Sequence, residues 1–178
     1  MKLQQHHKSA LVFLAIIFGI GYYFYSRPYE MTTANLVITA SFPDTPKKIT
    51  IPSLMPDGYS NGTTEYVVYK HQISYIVSIT DISFDYRQKL GDEGVLNNFF
   101  NTLSLGDEKA TGVARLAFMG NYNGQTVNLK SKSKLLQGKY FLTPSGIVAI
   151  YVRLKGQYIT PEAVQFIDSL DITERNLL

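Results

Sequence analysis

The stretch Ala10–Tyr25 constrains this chain most, because its sixteen residues include no charged residue and no Asn, Gln or Pro. A helix of that length covers roughly 24 Å of a hydrocarbon core about 30 Å thick. Aromatic residues 22–25 suit one membrane interface, and Lys8 can reach the other. The stretch favours an uncleaved transmembrane anchor at residues 10–25. A cleaved signal peptide requires an Ala-x-Ala-like cleavage site, and none follows this stretch. A buried core helix would be amphipathic, whereas this stretch is apolar on all sides.

The anchor divides the chain into a short tail, residues 1–9, a connector, residues 26–34, and a soluble domain, residues 35–178. Positive charge is slightly greater before the anchor than after it, which predicts a cytoplasmic N-terminus. The sequence therefore predicts a single-pass protein of the bacterial inner membrane whose C-terminal domain is periplasmic.

Two small residues of the anchor, Ala15 and Gly19, lie four positions apart. Small residues at this spacing let a second membrane helix approach closely. They are therefore candidate helix–helix packing positions, and they predict partners among integral membrane protein subunits in addition to the lipid bilayer.

The composition of the domain excludes several classes of protein. Residues 31–178 carry 14 Lys and Arg against 13 Asp and Glu, so strong electrostatic binding of nucleic acid is not expected. The chain has no Cys, which removes disulfides, zinc–thiolate sites and iron–sulfur clusters. It is rich in Tyr and Phe, which favours sheet.

Periodicity and turn residues predict strands joined by hairpins, with two amphipathic helices. The first helix is expected at 93–103, with Asp92 as N-cap, and the second opens at Thr160-Pro161. The predicted strands are 36–42, 65–70, 74–80, 114–119, 125–130, 135–143, 147–154 and 171–173. This order predicts an α+β domain: an antiparallel sheet covered by two helices.

Three short motifs resemble PsbP-like domains across roughly residues 36–172. They are Ser41-Phe42-Pro43-Asp44-Thr45-Pro46, the turn Gly120–Gly124, and the closing unit from Tyr140 through Val152 to Phe166–Leu170. The resemblance departs at Gln125, where the family has Arg after the turn, and at Leu170, where it has an aromatic residue. It implies an α/β/α sandwich and a role as an accessory or assembly factor of membrane complexes.

Residues suited to catalysis or to metal binding are sparse, so no catalytic, cofactor or metal site is predicted. The domain has one His, His71, at a predicted hairpin tip, where a solvated turn residue is the simplest interpretation. Nucleophile and phosphate-loop motifs are missing. The sequence therefore predicts a protein that is not an enzyme and carries no cofactor.

The candidate partner contacts are basic and aromatic. Lys130, Lys132 and Lys134 alternate, so in an extended segment they would share one face, and Lys139 follows. Such lysines either bind an acidic partner or lipid, or simply protect a sheet edge. Tyr122, at a predicted turn tip, is the other candidate contact.

These patterns lead to two alternative functions. The first is a non-catalytic accessory, stabilising or assembly subunit of a larger membrane protein complex. The second is a membrane-tethered periplasmic domain that binds a small molecule or lipid in an apolar pocket between sheet and helices.

Overall fold

The computed structural model describes residues 28–52, 60–106 and 110–175. Within these ranges the chain forms ten strands and two helices. The strands are β1 (Tyr29–Thr32), β2 (Leu36–Ala40), β3 (Lys47–Ile51), β4 (Ser60–Lys70), β5 (Ile73–Ile82), β6 (Thr111–Met119), β7 (Tyr122–Lys130), β8 (Lys134–Thr143), β9 (Gly146–Lys155) and β10 (Asp171–Glu174). The helices are α1 (Phe84–Thr102) and α2 (Pro161–Asp168).

Seven strands form one antiparallel sheet in the order β3-β4-β5-β9-β8-β7-β6. Three short strands form a second antiparallel sheet in the order β1-β2-β10. Because side chains alternate along a strand, the large sheet has two distinct faces. The front face packs against the second sheet and α2, and the back face packs against α1.

Tight turns hold the hairpins of the large sheet together. His71 and Gln72 both have positive φ, at 49° and 65°, which is the backbone of a two-residue hairpin turn. Gly146 opens β9 at φ 141°, where an added Cβ would clash with the carbonyl oxygen of Thr80. The predicted hairpins across His71-Gln72 and Pro144–Gly146 are both confirmed.

Large aromatic side chains fill the core on both sides of the sheet. On the front face Phe166 of α2 packs between Phe42 and Tyr75, with ring centroids 4.9 Å and 5.3 Å away. On the back face Phe99 of α1 packs on Tyr140 at 4.9 Å. Each layer is therefore anchored to the sheet by aromatic contact.

Helix α1 begins earlier than predicted. Its N-cap is Ser83, whose hydroxyl accepts from the backbone N–H of Tyr86 at 3.3 Å. Gly91, at φ 68° and ψ 169°, interrupts the helix, which breaks the apolar spacing across its two halves. Asp92, the predicted cap, instead accepts from Arg87 at 2.7 and 3.1 Å. By contrast, the predicted Thr160 cap of α2 is confirmed by its contact with Ala163 N at 3.2 Å.

The predicted α+β class, one sheet covered by two helices, is wrong. The described chain is mostly antiparallel β-sheet, and a second sheet shares the front face with α2. The second sheet, which the prediction lacks, is formed by β2 with β1, which falls in the predicted connector, and with β10. Both are four-residue strands that pair with β2, and β10 does so across more than 130 residues of chain. Local pattern does not report such distant pairing.

The predicted single-pass topology also needs correction. No helix among the described residues is long and apolar enough to cross a membrane. The predicted anchor at residues 10–25, with Ala15 and Gly19, lies outside the described residues, as does the tail at 1–9. Its sixteen residues are short for a span of about 30 Å. The predicted inner-membrane location with a periplasmic domain is therefore unsupported.

Candidate functional site

The front face of the large sheet is only partly covered. The second sheet and α2 pack over its central strands, while Val113 and Arg115 of β6 and Thr126 and Lys130 of β7 remain exposed on this face. A groove of about 410 Å³ lies there. We call it the front groove; its main lining side chains are Val113, Arg115, Thr126, Asn128, Gln137, Lys139, Ile167 and Asp168.

Strand register explains why these side chains meet. Arg115 of β6 is opposite Thr126 of β7, which is opposite Lys139 of β8. The next row on the same face is Val113, Asn128 and Gln137. Neighbouring strands lie about 4.8 Å apart, so the Arg115 and Lys139 backbones are separated by roughly 10 Å.

The electrostatics of the front groove favour binding of negative or polar groups. The Lys139 side chain is 17% exposed and lies 3.8 Å from Asp168, which is 72% exposed. Burial lowers the pKa of Lys139, and the Asp168 carboxylate partly opposes that shift. Asn128 Oδ1 is buried and has no hydrogen-bond partner among the described residues. The floor therefore offers two cations and an unused amide acceptor.

The front groove opens beside β6, an outer strand of the large sheet. Among the described residues β6 pairs only with β7, so its other edge keeps its backbone N–H and C=O groups unpaired. Pairing with β7 is regular from Thr111 to Met119, without a bulge. The strand has one charge, Arg115, and three exposed apolar side chains: Val113 at 56%, Leu116 at 76% and Phe118 at 71%. An edge of this kind is a template for another strand.

The structure separates the predicted lysines. Lys130 and Lys139 point to the front face, and Lys132 is exposed in the turn after β7. The chain turns at residues 131–133, where Ser131 N donates to Lys134 O at 3.0 Å. Lys134 therefore points to the back face, where its Nζ donates to the carbonyl of Leu105 at 3.1 Å. Whether these lysines contact a partner stays a prediction.

Tyr122 lies in the front core and is 9% exposed, so the structure does not place it at an exposed turn tip. Its hydroxyl donates to Glu174 at 3.3 Å. Burial raises the pKa of Tyr122, and the Glu174 carboxylate adds to that shift. Its hydrogen bond ties β7 to the second sheet.

Sequence reasoning missed Arg115 and Asn128. The available signal was a single cation within an otherwise apolar run, residues 113–119, with no polar alternation to mark a solvent face. An apolar strand without alternation is normally read as buried. Its position at the sheet edge depends on the pairing order, which the run itself does not encode.

The described residues bring together no group of three or more Asp, Glu or His side chains that could hold a metal ion. His71 sits in the exposed β4–β5 turn. Comparisons with protein-family models, curated proteins and solved structures find no match to this chain. The PsbP-like relationship therefore stays a prediction.

Proposed function

We propose that this domain is a non-catalytic accessory or assembly factor that binds a subunit of a larger protein complex by pairing β6 with a strand of that partner. The observation that carries the proposal is the regular, unpaired and apolar edge of β6. Main-chain hydrogen bonds along such an edge supply affinity, and alternating side chains supply specificity.

The chemistry of the partner strand follows from the two sides of β6. On the back side Leu116 and Phe118 are exposed and apolar. On the front side Arg115 is the single charge of β6, the exposed Lys130 of β7 lies further along the same face opposite Thr111, and neither strand contains an acidic residue. An extended segment that alternates apolar and acidic residues complements both sides at once.

The front groove supports a binding role in preference to a catalytic one. General acid–base catalysis uses titratable groups whose environments push their pKa values apart, usually paired carboxylates or a histidine. The single carboxylate among the residues that line the groove, Asp168, is largely exposed and faces Lys139. Cations and amides in this arrangement bind polar groups.

A second candidate function is binding of a small molecule. The sequence predicts an apolar pocket between sheet and helices for that role. The front groove instead lies on an outer part of a sheet face and is lined largely by polar side chains.

The test is affinity capture of partners from native extracts with wild type, Leu116→Glu and Phe118→Glu. We expect wild type to recover a defined partner in stoichiometric amount. Each variant should recover at least about tenfold less of it, because the new glutamate would be buried as an unpaired charge against the partner. Phe84→Glu is the matched control, because Phe84 is 76% exposed but lies at the start of α1.

The proposal fails if the partner is recovered equally with all three variants, or if the chain is recovered alone. Identification of the recovered subunits would also show whether they are integral membrane proteins, as the sequence predicts. Circular dichroism of each variant confirms folding, which we expect to be unchanged because all three side chains are exposed.

A further inference from the structure

A second groove lies on the back face, beyond the C-terminal end of α1. Its volume is about 370 Å³. It is bounded by the segment that follows α1, by the first residues of β5 and β8, and by the last residues of β9. The lining residues that matter here are Ser74, Ser104, Leu105, Lys134, Arg153 and Lys155. We call it the back groove.

Three cations of the back groove are brought together by strand register. Lys134 of β8 and Lys155 of β9 are direct cross-strand partners. Arg153 precedes Lys155 by two residues and therefore points to the same face. Like charges directly opposite each other repel, and none of the described residues that line the groove is acidic. Lys134 also donates from its Nζ to the carbonyl of Leu105, so Arg153 and Lys155 are the cations that carry the argument for an anion site.

Among the described residues of the groove, Arg153 is the cation with an unused hydrogen-bond donor. Its Nε is buried without a hydrogen bond among the described residues, and it forms no ion pair with any of them. Its guanidinium carbon lies 5.2 Å from the centre of the Tyr151 ring, which holds the planar group against the sheet. A guanidinium held in this way, with its Nε donor unused, matches the paired oxygens of a phosphate.

The remaining lining residues fit the rest of a small organic phosphate. The hydroxyls of Ser74 and Ser104 can donate to phosphate oxygens, and buried Leu105 supplies an apolar wall. The volume is within the range of about 300–1,000 Å³ that is typical of small-molecule sites, larger than inorganic phosphate requires.

We propose that the back groove binds a small, free phosphate monoester, with Arg153, Lys134 and Lys155 around the phosphate and the organic group against Leu105. This site does not involve the β6 edge, so it stands or falls separately from the proposed function. The ligand adds to the role of the domain; it does not replace it.

The test is a calorimetric titration of the full chain with phenyl phosphate, with phenol as the uncharged comparison. We expect saturable binding of phenyl phosphate alone, weakened at least about tenfold by Arg153→Gln and by Lys155→Gln. Lys130→Gln is the matched control, because Lys130 is an exposed lysine on the front face, and its affinity should equal wild type.

Arg153→Lys separates recognition from folding, since it keeps the charge but loses the paired donors, and we expect an intermediate loss. The proposal is overturned if phenyl phosphate does not bind, or if Lys155→Gln and Arg153→Gln bind as wild type does. Vesicles that contain phosphatidic acid test the other source of a phosphate monoester, and binding to them without binding to phenyl phosphate would also overturn it.

Discussion

The two outer strands of the seven-stranded sheet, β3 and β6, differ in length and in charge, two properties that govern pairing with another chain. Strand β3 has five residues, the first two of which are Lys47 and Lys48, and its first four residues are exposed. Strand β6 has nine residues and one charge. Short length and edge lysines are common protections against unwanted pairing. The sheet is therefore protected at one edge and open at the other.

The inner neighbours of these two edges also differ. Behind β6, Gln125 of β7 accepts a hydrogen bond from the buried hydroxyl of Tyr140, and its amide donates to Asn97 of α1 at 3.2 Å. Behind β3, Glu65 of β4 accepts from the buried hydroxyl of Tyr151 at 2.8 Å. The strand next to each edge thus accepts a hydrogen bond from a buried tyrosine hydroxyl. The accepting group is a neutral amide next to the open edge and a carboxylate next to the protected edge.

The largest expected effect comes from removing these two hydroxyls. Tyr151→Phe leaves Glu65, 7% exposed, without its donor, and should lower the free energy of unfolding by about 2–3 kcal/mol. Tyr140→Phe leaves a neutral amide that keeps its bond to Asn97, so we expect a loss of about 1 kcal/mol. Urea unfolding at pH 7 measures both.

Tyr69→Phe is the control for this pair, because Tyr69 is 72% exposed and its loss should change stability by less than about 0.5 kcal/mol. Equal losses for Tyr151→Phe and Tyr140→Phe would show that the charge on Glu65 makes no difference to the protected edge.

A smaller effect is expected at alkaline pH. Burial raises the pKa of both Tyr140 and Tyr151 above the ordinary value of 10.0, and at Tyr151 the Glu65 carboxylate adds to this shift. The native state then keeps protons that the unfolded state loses. Stability from each tyrosine is complete below pH 10 and falls above it by about 1.4 kcal/mol per pH unit until the folded group titrates.

Urea unfolding between pH 9 and 11 measures how steeply the free energy of unfolding falls with pH. Each Tyr→Phe variant should make this slope smaller by the contribution of the tyrosine that it removes. The lowered pKa of Lys139 acts in the opposite direction. Just below pH 10.5 the unfolded state holds more protons than the native state, so this group alone makes stability rise with pH. A wild-type slope that both variants leave unchanged would contradict the assignment.

How much of this comparison the sequence predicts depends on the range of the interactions. The β4–β5 and β8–β9 hairpins and the Thr160 cap are local, and turn chemistry predicts them. The second sheet was missed because β2 pairs with β10 far along the chain. The class was therefore wrong although most strands of the large sheet were expected.

The site was less predictable than the fold. Alternation placed Lys130 and Lys134 on one face, but the turn at 131–133 puts them on opposite faces. Arg115 and Lys139 share a row only because β6, β7 and β8 are neighbours in register. A row across three strands is a property of the sheet, and no window of sequence contains it.

The smallest expected effect tests whether lysines protect β3. Lys47→Val with Lys48→Val gives β3 the apolar character of β6, and self-association should strengthen about tenfold, as measured by sedimentation velocity. Monomer stability should change little, since both side chains are exposed and the Lys48 Nζ is as far as 6.0 Å from the centre of the Tyr66 ring. Lys130→Val with Lys132→Val removes the same charge from β7 and the turn after it, neither of which is an outer strand, and should not increase self-association. If this control associates equally, net charge and not edge chemistry keeps the chains apart. Addition of Phe118→Glu to the β3 variant then identifies the edges that pair. If the chains still associate, β3 of one chain pairs with β3 of the other. If they no longer associate, the pairing requires β6.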